Sequence, residues 1–379
     1  MSRTNTRVLK AALTALAATG ADRLGRPYAS GAGAILMLHH VEPGTQPEFS
    51  PNGILKVTPE FLAAVVDDVL ACGYDVIALD DVEARLAQGP SARPFACFTF
   101  DDGYRDNLVH AYPVFKARNL PFAIYVPGSF PDGDGDLWWL VLEEALRRVD
   151  EVVARIDGIE HRFPARTTAE KYRAHHAVYW WLRTLPEDEA RAEVAGLARF
   201  AGYDPSGLCR ELVMTWDELR ALAADPLVTI GAHTVGHYAL AKLPRARMQD
   251  EIAGGIARLE AMLGKPCRHM SYPYGSESAA GDREFAAVRE MGLATGVTTR
   301  KGLIKSAHAD RLTALPRLSL NGDFQSVGYV RTLLSGVPFA LMEAADRVRA
   351  ASARLRRPVS PEPVPVPAPS RWGPTSSGR

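Results

Sequence analysis

The segment FACFTFDDGYRDN, from Phe95 to Asn107, places two adjacent aspartates directly after six mostly apolar residues. The six residues have the composition of a buried β-strand, and Gly103 after the aspartates indicates a turn. Two neighbouring carboxylates repel each other, and each resists leaving water unless another charge compensates it. Asp101 and Asp102 are therefore either fully exposed or placed beside a bound cation.

Short apolar strand candidates alternate with helical patterns on both sides of this segment. The candidates are AILMLH (34–39), DVIAL (75–79), PFAIYV (121–126), LVTIGAH (227–233), RHMSYPYG (268–275), LATGV (293–297) and ALPRLSL (314–320). This β-α alternation predicts an α/β protein with a parallel sheet covered by helices, either open or closed into a barrel.

The composition of the chain changes along its length and suggests four regions. Residues 1–33 contain an amphipathic helix, and residues 34–325 carry the α/β pattern, which a helical insertion interrupts at about 131–214. Residues 326–356 read as a C-terminal helix. Residues 357–379 are rich in proline and serine, and we expect this tail to be disordered.

Charge and cysteine content exclude some classes of function. Lys+Arg and Asp+Glu are both 44, so the net charge is zero, which argues against a nucleic-acid partner. The four cysteines are widely spaced and predict reduced structural thiols.

No segment has the roughly 20 apolar residues of a membrane span. The N-terminus resembles a signal peptide only superficially, so we expect a cytoplasmic protein, with export as the alternative and peripheral membrane contact through the amphipathic helix.

Polar residues with metal-binding chemistry follow several strand candidates. Asp101 and Asp102 end one strand, His39 ends another, and His233 and His237 follow a third with i,i+4 spacing. The C-terminal ends of parallel strands meet on one face, so these side chains are expected to lie together. One carboxylate and two imidazoles suit Zn²⁺ above all, with Co²⁺, Ni²⁺, Mn²⁺ or Fe²⁺ as alternatives.

With these residues the sequence resembles the polysaccharide deacetylases, also called the NodB homology domain or carbohydrate esterase family 4. The motif TFDDG is present as 99–103 and HTxxH as 233–237, and the Arg-x-Pro-Tyr motif is partly kept as 271–274, Ser-Tyr-Pro-Tyr. The resemblance covers roughly 34–320 apart from the insertion. It implies a distorted (β/α) barrel and a metal-dependent hydrolase that removes N-acetyl groups from sugars.

Carried over residue by residue, the resemblance assigns a role to each motif position. Asp101 is the catalytic base that activates a metal-bound water, and Asp102, His233 and His237 are the metal ligands. The backbone N–H of Tyr274 helps to stabilise the oxyanion.

Two departures from the family pattern concern the proton donor and the arginine that orients the base. Ser271 stands where many members have the arginine, so Arg317 or a residue from another loop takes over that role. The Leu-x-His motif that supplies the general acid reads Leu-Ser-Leu at 318–320. A first-strand histidine approaches the metal site in one subgroup, and the LHHV segment makes His39 the best candidate for the acid, with His308 second.

The substrate implied by the resemblance is a GlcNAc-containing oligo- or polysaccharide, such as a chito-oligosaccharide or a bacterial surface-polysaccharide precursor. The alternatives are an O-acetyl ester or non-sugar amide at the same metal site, or a catalytically decayed sugar-binding protein. Two tryptophan pairs, 138–139 and 180–181, lie in the insertion. We expect them to pack the inserted helices, although aromatic rings can also stack on sugars.

Overall fold

The computed structural model describes residues 3–89, 93–156 and 158–355. Its strands are β1 Gly33–Leu38, β2 His40–Val41, β3 Lys56–Val57, β4 Asp75–Val76, β5 Phe95–Phe100, β6 Phe122–Val126, β7 Glu151–Ile156, β8 Ile159–Pro164, β9 Val228–Ala232, β10 His269–Ser271, β11 Thr295–Lys301 and β12 Leu315–Ser319. Its α-helices are α1 Arg3–Thr19, α2 Ala21–Ala29, α3 Pro59–Ala71, α4 Val82–Ala87, α5 Tyr112–Lys116, α6 Trp138–Arg148, α7 Thr168–Leu182, α8 Glu187–Phe200, α9 Leu208–Leu212, α10 Trp216–Ala223, α11 Arg245–Leu263, α12 Asp282–Glu290, α13 Val327–Leu334 and α14 Val337–Leu355.

Seven parallel strands close into a barrel. Their order is β1, β12, β11, β10, β9, β6 and β5, and β5 pairs with β1 to complete the ring. The closing pair runs in register from Gly33 opposite Phe95 to Leu38 opposite Phe100, and β4 pairs with the start of β5. The predicted (β/α) barrel is therefore confirmed, and the sheet is closed.

The strands are apolar on both faces because the barrel buries both. Along β5, Phe98 and Phe100 pack in the cluster between the sheet and the surrounding helices. Phe95 and Cys97 point the other way, into the cluster inside the barrel. This alternation is the two-residue period of a strand, and parallel pairing brings all C-terminal strand ends to one rim.

The insertion between β6 and β9 has its own apolar core. Residues of α6, α7 and α8, such as Leu142, Val178 and Val194, form a cluster distinct from the barrel clusters. The sequence predicts helix through Ile156, but α6 ends at Arg148 and β7 and β8 form an antiparallel hairpin. Burial alternates along β7, so its β-branched residues fit a half-exposed strand better than a helix.

Both predicted terminal helices are divided in the structure. The helix expected within 1–33 is broken at Gly20, whose φ of 71° lies in the left-handed region. The helix expected at 326–356 is divided into α13 and α14, with Gly336 at φ 78° between them. Residues 1–339 form one compact unit, and the described part of residues 340–379 continues α14 to Leu355. The predicted disordered tail lies outside the described residues.

None of the helices in the described ranges combines the length and the apolar character that crossing a bilayer requires. The four cysteines are free thiols, three of them buried.

Candidate active site

The C-terminal strand ends surround a cavity of about 430 Å³ at the rim of the barrel. Six of the eight candidate residues from the sequence line it, namely His39, Asp101, Asp102, His233, His237 and Tyr274. The seventh, Arg317 of β12, is completely buried and contacts Asp101. The structure thus brings every candidate except His308, the second choice for the acid, to one place.

Asp101 forms a bidentate ion pair with Arg317. The guanidinium Nη1 donates to Asp101 Oδ1 at 2.8 Å, and Nη2 donates to Oδ2 at 2.6 Å. Burial alone would raise the pKa of Asp101, but the charge and hydrogen bonds of Arg317 outweigh it and hold the pKa at about 2. Asp101 is therefore a buried carboxylate that stays ionised at neutral pH.

The remaining donors of Arg317 are also used. Nε donates to the carbonyl of Thr298 at 2.8 Å, Nη1 to the hydroxyl of Thr99 at 3.2 Å and Nη2 to the hydroxyl of Ser271 at 2.9 Å. All five N–H groups of the guanidinium thus have acceptors, which makes its complete burial tolerable. Ser271, in β10, occupies the position of the arginine in the Arg-x-Pro-Tyr motif. Arg317 belongs to a different strand, β12, and donates to the Ser271 hydroxyl as well as to Asp101.

Asp102, His233 and His237 form a compact set of ligand atoms that lie within 4.8 Å of one another. Asp102 Oδ1 is 3.5 Å from His233 Nε2 and 3.3 Å from His237 Nε2. The same carboxylate oxygen is buried and has no hydrogen-bond partner. His233 Nδ1 donates to the carbonyl of Ser271 at 2.6 Å, which leaves the lone pair of Nε2 directed at the cluster.

Electrostatics agree with a cation between these ligands. Burial, together with repulsion from Asp101, raises the pKa of Asp102 well above its usual range. Burial lowers the pKa of both His233 and His237. Two neutral imidazoles and a carboxylate that lacks a counter-charge are a donor set that a divalent metal fits.

The backbone is strained at this rim. Among the described residues, five non-glycine residues have positive φ, and four of them belong to the site: Asp102 at 73°, Thr234 at 65°, His237 at 58° and Tyr274 at 61°. A β-branched residue such as Thr234 rarely adopts this conformation. Such strain persists only where surrounding contacts impose it, and it is typical of functional sites.

Contacts that sequence inspection did not identify impose the conformation of the histidine loop. Glu251 of α11 accepts the backbone N–H groups of Val235 and Gly236 at 3.0 and 2.9 Å. The Thr234 hydroxyl accepts the N–H of His237, and Arg191 of the insertion donates to the carbonyl of His237 at 3.3 Å. Neither Glu251 nor Arg191 lies in a recognisable motif.

The two histidines of the first strand end have different surroundings. His39 Nε2 lies 4.0 Å from Asp101 Oδ2, and burial lowers the pKa of His39 to about 4. His40 is turned away, stacks on Tyr104 and shares a 2.7 Å hydrogen bond with Asp106. His308 accepts the backbone N–H of Lys305 and is not among the residues that line the cavity.

The insertion contributes residues to the wall of the cavity. Trp138 and Trp139 are buried, and their indole N–H groups donate to the hydroxyls of Tyr274 at 2.8 Å and Tyr104 at 3.3 Å. This is the packing role expected for that pair. Trp180, in contrast, is 55% exposed and lines the cavity beside Tyr179.

Two cations that line the cavity were not identified from the sequence: Arg183, at the end of α7, and Lys242, in the turn after β9. The signal for Arg183 was its helical spacing from Tyr179, which places both on one face. Lys242 lies in a short 3₁₀ turn, where no periodic pattern indicates a direction.

Comparisons with known proteins agree with this site. The sequence profile of the family described as "Polysaccharide deacetylase" matches residues 88–296. A search of curated protein sequences finds no match.

Solved structures of low sequence identity share the fold. A Streptococcus pyogenes deacetylase, PplD, in complex with acetate is 16% identical, covering 79% of this chain and 97% of its own, with a TM-score of 0.53. IcaB from Ammonifex degensii is 18% identical over 81% of this chain and 97% of its own, with a TM-score of 0.50. A de-N-acetylase from Aggregatibacter actinomycetemcomitans is 16% identical, and the match covers 79% of this chain and 98% of its own, with a TM-score of 0.50. With the profile covering more than half of its length, the chain belongs to the polysaccharide deacetylase family and is a carbohydrate deacetylase, a hydrolase.

Proposed function

We propose that the chain removes N-acetyl groups from a GlcNAc-containing oligo- or polysaccharide, with Asp101 as the general base. The observation that carries the proposal is the buried Asp101–Arg317 ion pair beside the three ligand side chains on the cavity floor. A carboxylate kept ionised next to a cation site is the arrangement that acid–base hydrolysis of an amide requires.

The polysaccharide deacetylase family is generally metal-dependent, and Asp102, His233 and His237 are the residues that would hold the metal. When bound, a divalent metal acts as a Lewis acid that lowers the pKa of water to about 7 and polarises a carbonyl. Arg317 keeps Asp101 ionised, with a pKa of about 2, so its carboxylate is available to accept a proton at neutral pH.

The residues of the chain then have separate tasks. Asp101 accepts a proton from the attacking water, whose oxygen bonds to the acetyl carbonyl carbon. The backbone N–H of Tyr274 donates to the carbonyl oxygen as it becomes negative. His39 is neutral at rest, takes up the proton from Asp101 at 4.0 Å and gives it to the nitrogen as the C–N bond breaks. The products are acetate and a free amine.

The test is release of acetate and amine from N-acetylchito-oligosaccharides by protein reconstituted in turn with Zn²⁺, Co²⁺, Ni²⁺, Mn²⁺ and Fe²⁺. Asp101→Asn should keep the metal and lower kcat by about 10²–10⁴-fold, the usual contribution of a general base. His233→Ala should lose both metal and activity. Both variants are checked for folding by circular dichroism.

The outcomes separate the alternatives. Equal amounts of acetate and amine support N-deacetylation, whereas acetate without amine from O-acetylated sugars supports an esterase. Unchanged turnover in Asp101→Asn contradicts the proposed base.

The cytoplasmic location, and contact of the N-terminal helices with a membrane surface, stay predictions. Fractionation of cells expressing the tagged chain into cytosol, membrane and medium would test both.

A further inference from the structure

We propose that Arg183 and Lys242 form an anion-binding subsite in the cavity, so that the substrate is an acetamido sugar carrying a phosphate or carboxylate group. The inference rests on the proposed deacetylase function and narrows its substrate class. It begins from the two cations, Arg183 and Lys242, that line the same cavity as the catalytic residues.

The Arg183 guanidinium is poorly satisfied by the protein. Its central carbon lies 3.6 Å from the centre of the Tyr274 ring, on which it stacks. The nearest carboxylate oxygen, Glu187 Oε1, is 3.9 Å away, and the side chain is only 12% exposed. Within the described ranges, no acceptor forms a hydrogen bond with the guanidinium. The free donors of a guanidinium that lines a cavity need acceptors there, which either water or a bound anion can supply.

Lys242 lies beside the same carboxylate. Its Nζ is 3.4 Å from Glu187 Oε1 and donates to the carbonyl of Leu185 at 2.6 Å. Glu187 is buried, so one carboxylate faces two cations and leaves an excess positive charge at this wall.

The acidic residues of the cavity do not cancel this charge. Asp101 is already paired with Arg317, and Asp102 faces the metal ligands His233 and His237. A neutral glycan would offer Arg183 hydroxyl and amide oxygens as acceptors, but no opposite charge. An anionic group would instead receive a planar, bidentate donor from Arg183 and a point charge from Lys242.

The proposed subsite lies next to the place where the acetyl group would bind. Arg183 stacks on the ring of Tyr274, whose backbone N–H is assigned to the carbonyl oxygen of the acetyl group. Trp180 lies on the same wall with 55% of its side chain exposed, where a pyranose face could stack. The anionic group would therefore be attached to the acetylated sugar itself or to its immediate neighbour.

The first experiment measures binding without turnover. The metal-loaded Asp101→Asn protein is titrated calorimetrically with GlcNAc 1-phosphate, with a glucuronate–GlcNAc disaccharide and with neutral N,N′-diacetylchitobiose. We expect the phosphate or the uronate ligand to bind at least tenfold more tightly than the neutral one. Whichever of the two anionic ligands binds more tightly shows whether the subsite recognises a phosphate or a carboxylate. Equal affinity for all three overturns the subsite.

Variants then test which residue carries the preference. The quantity compared is the affinity for the anionic ligand divided by the affinity for the neutral one. Arg183→Gln, made in the Asp101→Asn protein, should bring this ratio close to one. Lys242→Gln should lower the ratio partly, and Arg183→Lys should retain part of the preference. Arg173→Gln is the matched control, because Arg173 is an exposed arginine of α7, the helix that ends just before Arg183, and is absent from the cavity lining. A ratio that is unchanged in Arg183→Gln contradicts the proposal even if overall affinity falls.

Turnover with Asp101 restored distinguishes failure of the subsite from failure of the proposed function. Charge-dependent binding without acetate release from any ligand overturns N-deacetylation and leaves the anion site standing. Acetate release that is as fast from neutral as from anionic sugars supports N-deacetylation and overturns the subsite.

Discussion

The two walls of the cavity differ in how completely their charges are satisfied. On the barrel side, Arg317 is fully buried and all five of its donors have acceptors. On the insertion side, Arg183 has no hydrogen-bonded acceptor among the described residues, and Trp180 is largely exposed. The barrel side is preorganised for chemistry, whereas the insertion side leaves groups available for a substrate. Changes on the first side should therefore lower kcat, and changes on the second should raise KM.

Among the substitutions that compare the two sides of the cavity, the largest effect is expected for His39, at the barrel side. His39→Gln removes the proton donor while keeping a polar side chain of similar size, and kcat should fall by about 10²-fold or more. His308→Gln is the matched control, since His308 does not line the cavity. Steady-state kinetics of acetate release from an N-acetylchito-oligosaccharide would decide. Equal losses in the two variants, or a loss only in His308→Gln, would assign the acid elsewhere.

Arg317→Gln should shift the pH dependence of the reaction. Arg317 lowers the pKa of Asp101, so its removal lets burial raise that pKa, and the acid limb of kcat/KM moves to higher pH. Breaking a buried ion pair also costs about 3–5 kcal/mol of unfolding free energy. The pH–rate profile and urea unfolding measure the two effects.

A second substitution makes the arginine prediction sharper. Ser271→Arg combined with Arg317→Gln restores arginine at the position where many family members carry it, and it should return the acid limb toward that of the parent. An acid limb that stays in place in Arg317→Gln would show that Arg317 does not set the ionisation of the base.

The smallest expected effect concerns Trp180, on the insertion side. Trp180→Ala should raise KM about 3- to 10-fold with little change in kcat, as expected for loss of about 0.5–1.5 kcal/mol of aromatic contact. Phe200→Ala is the control, because Phe200 is 70% exposed on the insertion but is absent from the cavity lining. A fall in kcat without a change in KM would remove the distinction between the two walls.

Most of the barrel and the ligand set could be predicted from the sequence because their signals are local. The apolar run of β5 followed by Asp101 and Asp102, and the spacing of His233 and His237, each lie within a few residues. The hairpin β7–β8 was missed because its apolar residues continue the pattern of α6, and only packing against the insertion core separates strand from helix.

The sequence by itself determined the parallel α/β pattern and which residue types meet at the strand ends, since these follow from short-range periodicity and from motifs. Only the tertiary structure decided that Arg317 reaches Asp101 across 216 residues of chain, that His39 and not His308 lies beside Asp101, and that Arg183 lines the cavity. The physical reason is that these contacts depend on which distant surfaces the closed barrel and the insertion bring together, and no local pattern specifies that.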